Sequence, residues 1–414
     1  MYTTLFWVII AILVIDFALG CYLDYLNNSQ VSEALPEEVK DLYDAEAYKK
    51  QQQYFLANKK FGMVSGLFSF VVMMLMFFFF GFAFVDNIAR GFSANSIVIA
   101  LVFFGILYFA NEVLTLPFGV YHTFKIEECF GFNKMTPKLF VADTLKSWLL
   151  AIVLGGGILA LLMLIYNETG AYFWLIAWGV MSAISIFMMM FYSNLIVPLF
   201  NKQTPLEEGE LRSAIQDFCK KVGFGLDDLY VIDGSKRSTK ANAYFTGLGS
   251  KKRIVLYDTL MNTLTTEEIV AVLAHEIGHY KHKHTLAMLF ISILNTGVTL
   301  FLLSLALGTP EEGNVYLARA LGSEFPSFQL GVIVFGILYT PLSTVLNVVL
   351  NGLTRRNEYQ ADDFAKDNGL GDSLGEALKK LSVSTLTNLN PHKAYVFVNY
   401  SHPTLIQRLK NLNK

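Results

Sequence analysis

Charge is what this chain has least of. Asp, Glu, Lys and Arg make up 16% of its 414 residues, 54% are hydrophobic, and the mean hydropathy is +0.44. An ordinary soluble domain carries about 25% charged residues, so that class is excluded. The net charge of −2 leaves no basic surplus to neutralise phosphates, and no nucleic-acid partner is expected. Cysteine is nearly absent as well. Cys21, Cys129 and Cys219 lie far apart, form no C-x-x-C pair and make no disulfide framework, so they read as structural residues. No internal repeat and no low-complexity segment is found.

Apolar sequence is abundant, with 35 Phe alone. Seven stretches are long enough to cross a bilayer, approximately 5–26, 61–85, 97–121, 148–166, 172–199, 286–307 and 330–350. The first has no Lys or Arg ahead of it and no small-residue cleavage site, which predicts a retained anchor rather than a removed signal peptide. Lys40, Lys49, Lys50, Lys59 and Lys60 fill the first loop, and Lys125, Lys134, Lys138 and Lys146 the third. The opposite loops carry only Arg90 and Arg319. This asymmetry puts the N-terminus outside and the C-terminus in the cytoplasm. Asp16, Asn111, Glu112 and Asn295 intrude on the spans; such residues face a protein interior or a wet cavity, or lie close enough to an interface to be solvated.

Four regions follow: an N-terminal membrane region 1–200, a segment 201–285, two further spans in 286–352, and a tail 353–414. The first loop reads as helical and interfacial. Within the second region the pattern predicts a helix over 206–222, then strands at 229–233, 243–249 and 253–257, the last two joined by a Gly-Ser-Lys-Lys turn. The chain then enters a helix that runs straight into the sixth span. Another helix is expected over 354–368, ended by Gly369.

The chemistry concentrates in His275-Glu276-Ile277-Gly278-His279. Thr265 and Glu268 form a capping box ahead of it, and Ile269, Val272, Leu273 and Ile277 recur at helical spacing, so the motif sits on a helix. His275 and His279 are then one turn apart and can hold one Zn²⁺, while Glu276 can take a proton from a water beside it. Gly278 is a poor helix former, and its place here calls for close approach of another backbone or of substrate. A catalytic zinc needs a third protein ligand. Glu358 is the best candidate, with Asp362 one turn on placed to accept the outer N–H of a ligating His. His282 and His284 compete, although Lys281-His-Lys-His284 also reads as a basic segment at headgroup level. His122 and His392 read as structural or surface residues. His402, just before a helix begun by Pro403 or Thr404, is either a plain loop residue or, if the tail folds back, an oxyanion stabiliser.

These residues together resemble the membrane-embedded M48 metallopeptidases, the Ste24-type CAAX prenyl proteases. That family combines H-E-x-x-H with a downstream E-x-x-x-D, here Glu358-x-x-x-Asp362. The stretches Phe124-Lys-Ile-Glu-Glu-Cys-Phe-Gly-Phe-Asn-Lys134, Asp233-Gly-Ser-Lys-Arg-Ser, Asn242-Ala-Tyr-Phe and Tyr400-Ser-His-Pro look like its signatures too, and the likeness covers nearly the whole chain. The resemblance implies a mainly α fold, with seven transmembrane helices around a water-filled chamber and a small α+β zinc-metalloprotease domain on the cytoplasmic side. It implies His275, His279 and Glu358 as ligands to one Zn²⁺, Glu276 as base, and Asp362 and His402 as further catalytic residues. Asn242, Ala243 and Tyr244 become a substrate-aligning edge strand, with Arg356 and Tyr400 joining the substrate-binding set.

The expected activity is peptide-bond hydrolysis by zinc-activated water. The expected partners are a protein or peptide, prenylated at its C-terminus or simply membrane-associated, and the lipid bilayer. No clear C-terminal endoplasmic-reticulum signal is found, which favours a bacterial inner membrane, with the endoplasmic reticulum as the alternative. A quality-control protease with non-prenylated clients uses the same chemistry. A transporter or channel with a regulatory zinc site is the reading from a different class, but neither a repeat nor a role for Glu276 fits it.

Overall fold

In the computed structural model, residues 2–31, 39–40, 42–226, 228–246, 253–311 and 313–414 are described. Among them, six helical stretches are long and apolar enough to cross a membrane: Thr4–Asn28, Ala45–Phe78, Ser96–Glu127, Pro137–Phe200, His284–Leu307 and Phe328–Asp367. The expected fourth and fifth spans both fall in the 64-residue stretch Pro137–Phe200. A helix of that length runs to about 96 Å, roughly three times a bilayer core. It breaks at Gly170, whose φ of +51° is a conformation that favours glycine. The two sides of the break pack on different neighbours. Asn167 Nδ2 bonds Ser96 Oγ at 2.8 Å on one helix, whereas Trp178 Nε1 bonds the Ile293 carbonyl at 2.7 Å on another.

Other boundaries differ from the sequence reading. The second span begins earlier, within the charged loop, and ends at Phe78, because Phe80 with φ +53° separates it from the helix Gly81–Phe92. Glu112 is not left to water: its Oε2 accepts from Trp148 Nε1 at 2.8 Å. Asp16 is exposed. Only Cys219 is buried; Cys21 and Cys129 are exposed and pack no core. His122 bonds Asn58 Oδ1 at 3.0 Å, and His392 caps the short helix Lys393–Asn399.

A four-stranded sheet holds β1 Gln203–Pro205, β2 Asp228–Ile232, β3 Ala243–Thr246 and β4 Arg253–Tyr257 in the order β1-β2-β4-β3. β2 and β4 run parallel and the outer pairs antiparallel, so β3 is an edge strand. β1 escaped the sequence reading because it is three residues long and contains Pro205. The Gly-Ser-Lys-Lys turn and the far end of the third expected strand lie outside the described residues. Before β2, the helix Glu210–Lys221 buries Ile215, Phe218 and Cys219.

Two stretches singled out in the sequence dock on each other. Asn133 bridges Ser238, and the Lys134 amide donates to the Arg237 carbonyl at 3.0 Å. Lys240 Nζ then bonds Glu127 Oε2 at 2.7 Å and Tyr54 Oη at 2.8 Å, while Arg237 grips Asp143 through two bonds of 2.8 and 3.1 Å. These contacts fasten the segment just ahead of β3 to membrane-region helices at Tyr54, Glu127 and Asp143 and to the loop at Asn133 and Lys134.

The motif helix is Thr266–Lys281. Its capping box is complete: Thr265 Oγ1 accepts from the Glu268 amide and Glu268 Oε2 from the Thr265 amide, at 3.3 and 2.9 Å. Burial works against the Glu268 carboxylate, but the Lys380 ammonium and the Thr265 amide outweigh it and hold it below the usual range. Ile269, Leu273 and Ile277 enter a core with Ile215, Phe218, Ile254, Leu256 and Ala365. The helix does not run straight into the next span, as the sequence suggested. Lys283 turns left-handed, with φ +58°, and a new helix starts at His284. Conversely, no break separates the last span from the expected helix after it. One 40-residue helix, Phe328–Asp367, carries both, ending before Gly369 with φ +84°.

Gly278 faces that long helix. A Cβ there would stand 3.0 Å from Ala361 Cα and 3.1 Å from its carbonyl oxygen. Gly→Ala in a helix ordinarily gains about 0.8–1.0 kcal/mol. Here Gly278→Ala is expected to lower the thermal midpoint in detergent and weaken metal binding, because the two helices must part. Circular dichroism melts with metal analysis check this; a raised midpoint with full metal would refute it.

Candidate metal centre

The close helix crossing at Gly278 brings side chains of both helices to one point. His275 Nε2 and His279 Nε2 are 3.2 Å apart. Glu358 reaches across, with Oε2 at 3.4 Å from His275 Nε2 and Oε1 at 3.3 Å from His279 Nε2. Glu358 is 3% exposed, and among the described residues its Oε2 has no hydrogen-bond partner. A buried carboxylate oxygen left so is costly unless something else completes it. The three residues could hold one metal ion. A tetrahedral ion with ligands at about 2.0–2.1 Å has edges of about 3.3–3.4 Å, the size of this triangle. The donor set therefore fits a metal.

Each imidazole is fixed from behind. His275 Nδ1 lies 2.8 Å from Asp362 Oδ1, and Asp362 is fully buried. This is the outer-nitrogen contact expected of a carboxylate one turn beyond the ligand. Arg408 closes the set, with Nε on Asp362 Oδ2 at 2.9 Å and Nη2 on the other oxygen. Burial pulls the His275 imidazole down, but the neighbouring Asp362 and Glu358 carboxylates prevail and hold it above its ordinary value. Burial also opposes the Arg408 charge, yet Asp362, Glu358 and Glu276 keep it raised.

His279 has a different partner. Its Nδ1 sits 3.1 Å from His284 Nδ1, and His284 Nε2 sits 2.9 Å from Gln360 Oε1. The reading of His284 as a headgroup-level residue is thus corrected: it is 7% exposed and lies behind His279. The left-handed turn at Lys283 folds it back. His282 stacks on His284 at 5.4 Å rather than joining the triangle.

Glu276, next to His275, is half-buried and makes no hydrogen bond among the described residues. The tail does fold back: His402 Nε2 lies 3.4 Å from Glu358 Oε1, while its Nδ1 is 2.9 Å from Ser401 Oγ. Tyr400 is half-buried beside Tyr395, and its carbonyl accepts from Arg355. Arg355, not Arg356, therefore fastens the tail. Arg356 is exposed and makes no hydrogen bond or ion pair among the described residues. Beside this cluster, Phe245 of β3 lies 5.8 Å from Tyr280, the residue after His279. Asn242 is exposed, Ala243 and Tyr244 open the edge strand, and the Tyr244 hydroxyl is taken by Ser193 at 3.2 Å.

Sequence reasoning missed Arg408 and Gln360, and the place of His284 behind His279. Arg408 had a signal: it stands four residues beyond Thr404, the cap of the helix Leu405–Leu412 that follows His402. His284 had none, because the turn that recruits it requires a left-handed lysine.

Residues 24–202 match the family model for the CAAX prenyl protease N-terminal region with five membrane helices, and residues 205–414 match that of peptidase family M48. CAAX prenyl protease 1 of Saccharomyces cerevisiae is 35% identical over 421 residues, covering 96% of this chain and 93% of the relative. The human homolog is 31% identical, over 91% and 88% of the two chains. The crystal structure of S. mikatae Ste24p superposes with a TM-score of 0.92 at 35% identity, over 99% of each chain. The chain belongs to the M48 peptidase family, in its Ste24-type CAAX prenyl protease branch, and is a multi-pass membrane metalloendopeptidase.

Proposed function

We propose that the chain is a seven-span zinc endopeptidase that cleaves prenylated or membrane-associated proteins on the cytoplasmic face. The observation that carries the zinc reading is the 3.2–3.4 Å triangle of His275, His279 and Glu358. Two imidazoles and one carboxylate, with a fourth position left to water or substrate, are a donor set suited to catalytic zinc. When bound, zinc polarises the scissile carbonyl and makes water acidic enough to attack near neutral pH.

The chain's own residues do the rest. Glu276 accepts the proton of the attacking water at a carboxylate oxygen and delivers it to the leaving amine, a role worth about 10²–10⁴-fold. Asp362 holds the proton of His275 at Nδ1, so that the Nε2 lone pair faces the metal position; Arg408 holds Asp362. His284 does the same for His279 and is itself held by Gln360. Ser401 donates to His402 Nδ1, which leaves the proton on Nε2 for the oxyanion, with Tyr400 beside it. An extended substrate adds to the edge of β3 at Asn242, Ala243 and Tyr244 by main-chain hydrogen bonds. Arg356 is an exposed cation available to a substrate carboxylate. Main-chain recognition is largely indifferent to sequence, which favours non-prenylated, misfolded clients as a second reading.

The break at Gly170 supports counting Pro137–Phe200 as two spans, and spans around a chamber would give Asp16 a wet surface to face. The Lys-rich loops support an N-terminus outside and a zinc site in the cytoplasm, in a bacterial inner membrane or alternatively the endoplasmic reticulum. Identifying by mass spectrometry the peptides that accumulate uncut in cells carrying Glu276→Gln tests the substrate class. Lipidated C-terminal fragments support the prenylated class; unmodified fragments alone favour the second reading.

A reporter fused after Lys414 is expected to behave as cytoplasmic, and one at Gly313 as external. Both on one side would remove the seven-span topology. Glu358→Ala should lose zinc, leaving two imidazoles, while Asp362→Asn should bind it about 10–100-fold more weakly. Tight stoichiometric zinc in Glu358→Ala, measured by plasma emission after dialysis, would disprove that ligand set. Glu276→Gln should keep fold, zinc and substrate binding but lose nearly all turnover, whereas His402→Ala should drop about 10²–10³-fold. Near-normal cleavage by Glu276→Gln in a detergent assay contradicts the base assignment.

A further inference from the structure

Away from the metal centre, a cavity of about 640 Å³ opens between the ends of membrane helices and the sheet. Four cations line it: Lys146, Lys202, Lys236 and Arg253. Asp233 is the carboxylate among its lining residues, and Asp233 Oδ1 is already engaged by Asn201 Nδ2 at 3.0 Å and the Lys202 amide at 2.8 Å. Behind the wall, Asp143 is gripped by Arg237 and stands 3.7 Å from Lys146, while Asp228 stands 3.4 Å from Arg253. Lys202 and Lys236 are exposed, and their side chains make no hydrogen bond or ion pair among the described residues. Arg253 is held 4.1 Å over the Tyr230 ring, and Lys146 is anchored to the Leu199 carbonyl at 2.9 Å.

The other side of the cavity is apolar. Pro198, Leu199 and Phe200 end the membrane stretch Pro137–Phe200, and Leu199 is 47% exposed. The cavity thus sits at the end of that apolar stretch, with the unpaired ammonium groups of Lys202 and Lys236 on one side and an exposed hydrocarbon lip on the other. A free oxyanion would need only the first. A phospholipid needs both, and basic pockets between membrane helices at the cytoplasmic surface suit anionic headgroups.

We infer that this cavity binds the phosphate of an anionic phospholipid, Lys202 and Lys236 holding its oxygens and Leu199 and Phe200 meeting its chains. The assignment to the cytoplasmic leaflet rests on the proposed topology; the site itself does not, and its test uses a symmetric environment. Full-length protein in micelles is given phosphatidylglycerol, phosphatidylcholine or inorganic phosphate at equal phosphorus. The thermal midpoint and the lipid retained in native mass spectrometry are read. Phosphatidylglycerol should raise the midpoint and stay bound at about one molecule per chain, the others not. The double variant Lys202→Glu, Lys236→Glu should lose about tenfold or more in apparent affinity for it. That variant should keep its zinc and its peptide cleavage in phosphatidylcholine, which separates this site from the catalytic reading. The control Lys49→Glu, Lys50→Glu reverses two exposed charges elsewhere and should bind as the parent does. Equal retention by Lys202→Glu, Lys236→Glu overturns the site, and equal protection by inorganic phosphate overturns lipid as its source.

Discussion

The centre depends on how closely two helices can approach. Gly278 lets the motif helix lie against the backbone of the long helix at Ala361, where even a methyl group would stand at 3.0 Å. His275 and His279 belong to one helix, Glu358 and Asp362 to the other. Nothing in either helix alone makes a metal site. The crossing does, and it explains why a residue costing a helix about 1 kcal/mol occupies the middle of its motif.

That crossing also concentrates charge where water is scarce. Glu358 and Asp362 are buried, and Arg408 is nearly so. Burying such groups costs several kcal/mol each unless partners complete them. Arg408 completes Asp362, which in turn aligns His275. Glu358 keeps one oxygen without a hydrogen bond among the described residues, 3.7 Å from Arg408 Nη1. A metal ion held by His275, His279 and Glu358 would complete it and couple the ion to the packing of both helices.

The tail that supplies Arg408 and His402 is held by the membrane helices rather than by the sheet. Asn351 Nδ2 donates to the Val398 carbonyl at 2.8 Å, Arg355 to that of Tyr400, and the His392 amide to Asn27 Oδ1 at 3.0 Å. The last of these comes from the first helix of the chain, which is thereby tied to its end. The sheet is moored separately, through Lys240 and Arg237, to helices of the membrane region at Tyr54, Glu127 and Asp143. Two sets of fastenings thus tie the peptidase region to the membrane region.

What the sequence by itself determined was everything local. Hydropathy located the apolar stretches, the capping box placed the motif helix, and helical spacing put His275 with His279 and Glu358 with Asp362. Short runs of aromatic and aliphatic residues marked β2, β3 and β4, whereas β1, Gln203-Thr-Pro205, carries no such run. Local hydropathy separated two spans inside Pro137–Phe200, at 148–166 and 172–199, and the left-handed Gly170 lies between them. Local periodicity misplaced the junctions near Lys283 and Leu353, where a turn and a continuous helix read much the same. Only the tertiary structure decided that His284 rather than His282 stands behind His279, that Arg355 holds the tail, and that Arg408 completes Asp362. Those contacts join residues 5, 45 and 46 positions apart. Sequence spacing carries the geometry of a single helix, whereas partners on different elements are chosen by how those elements pack.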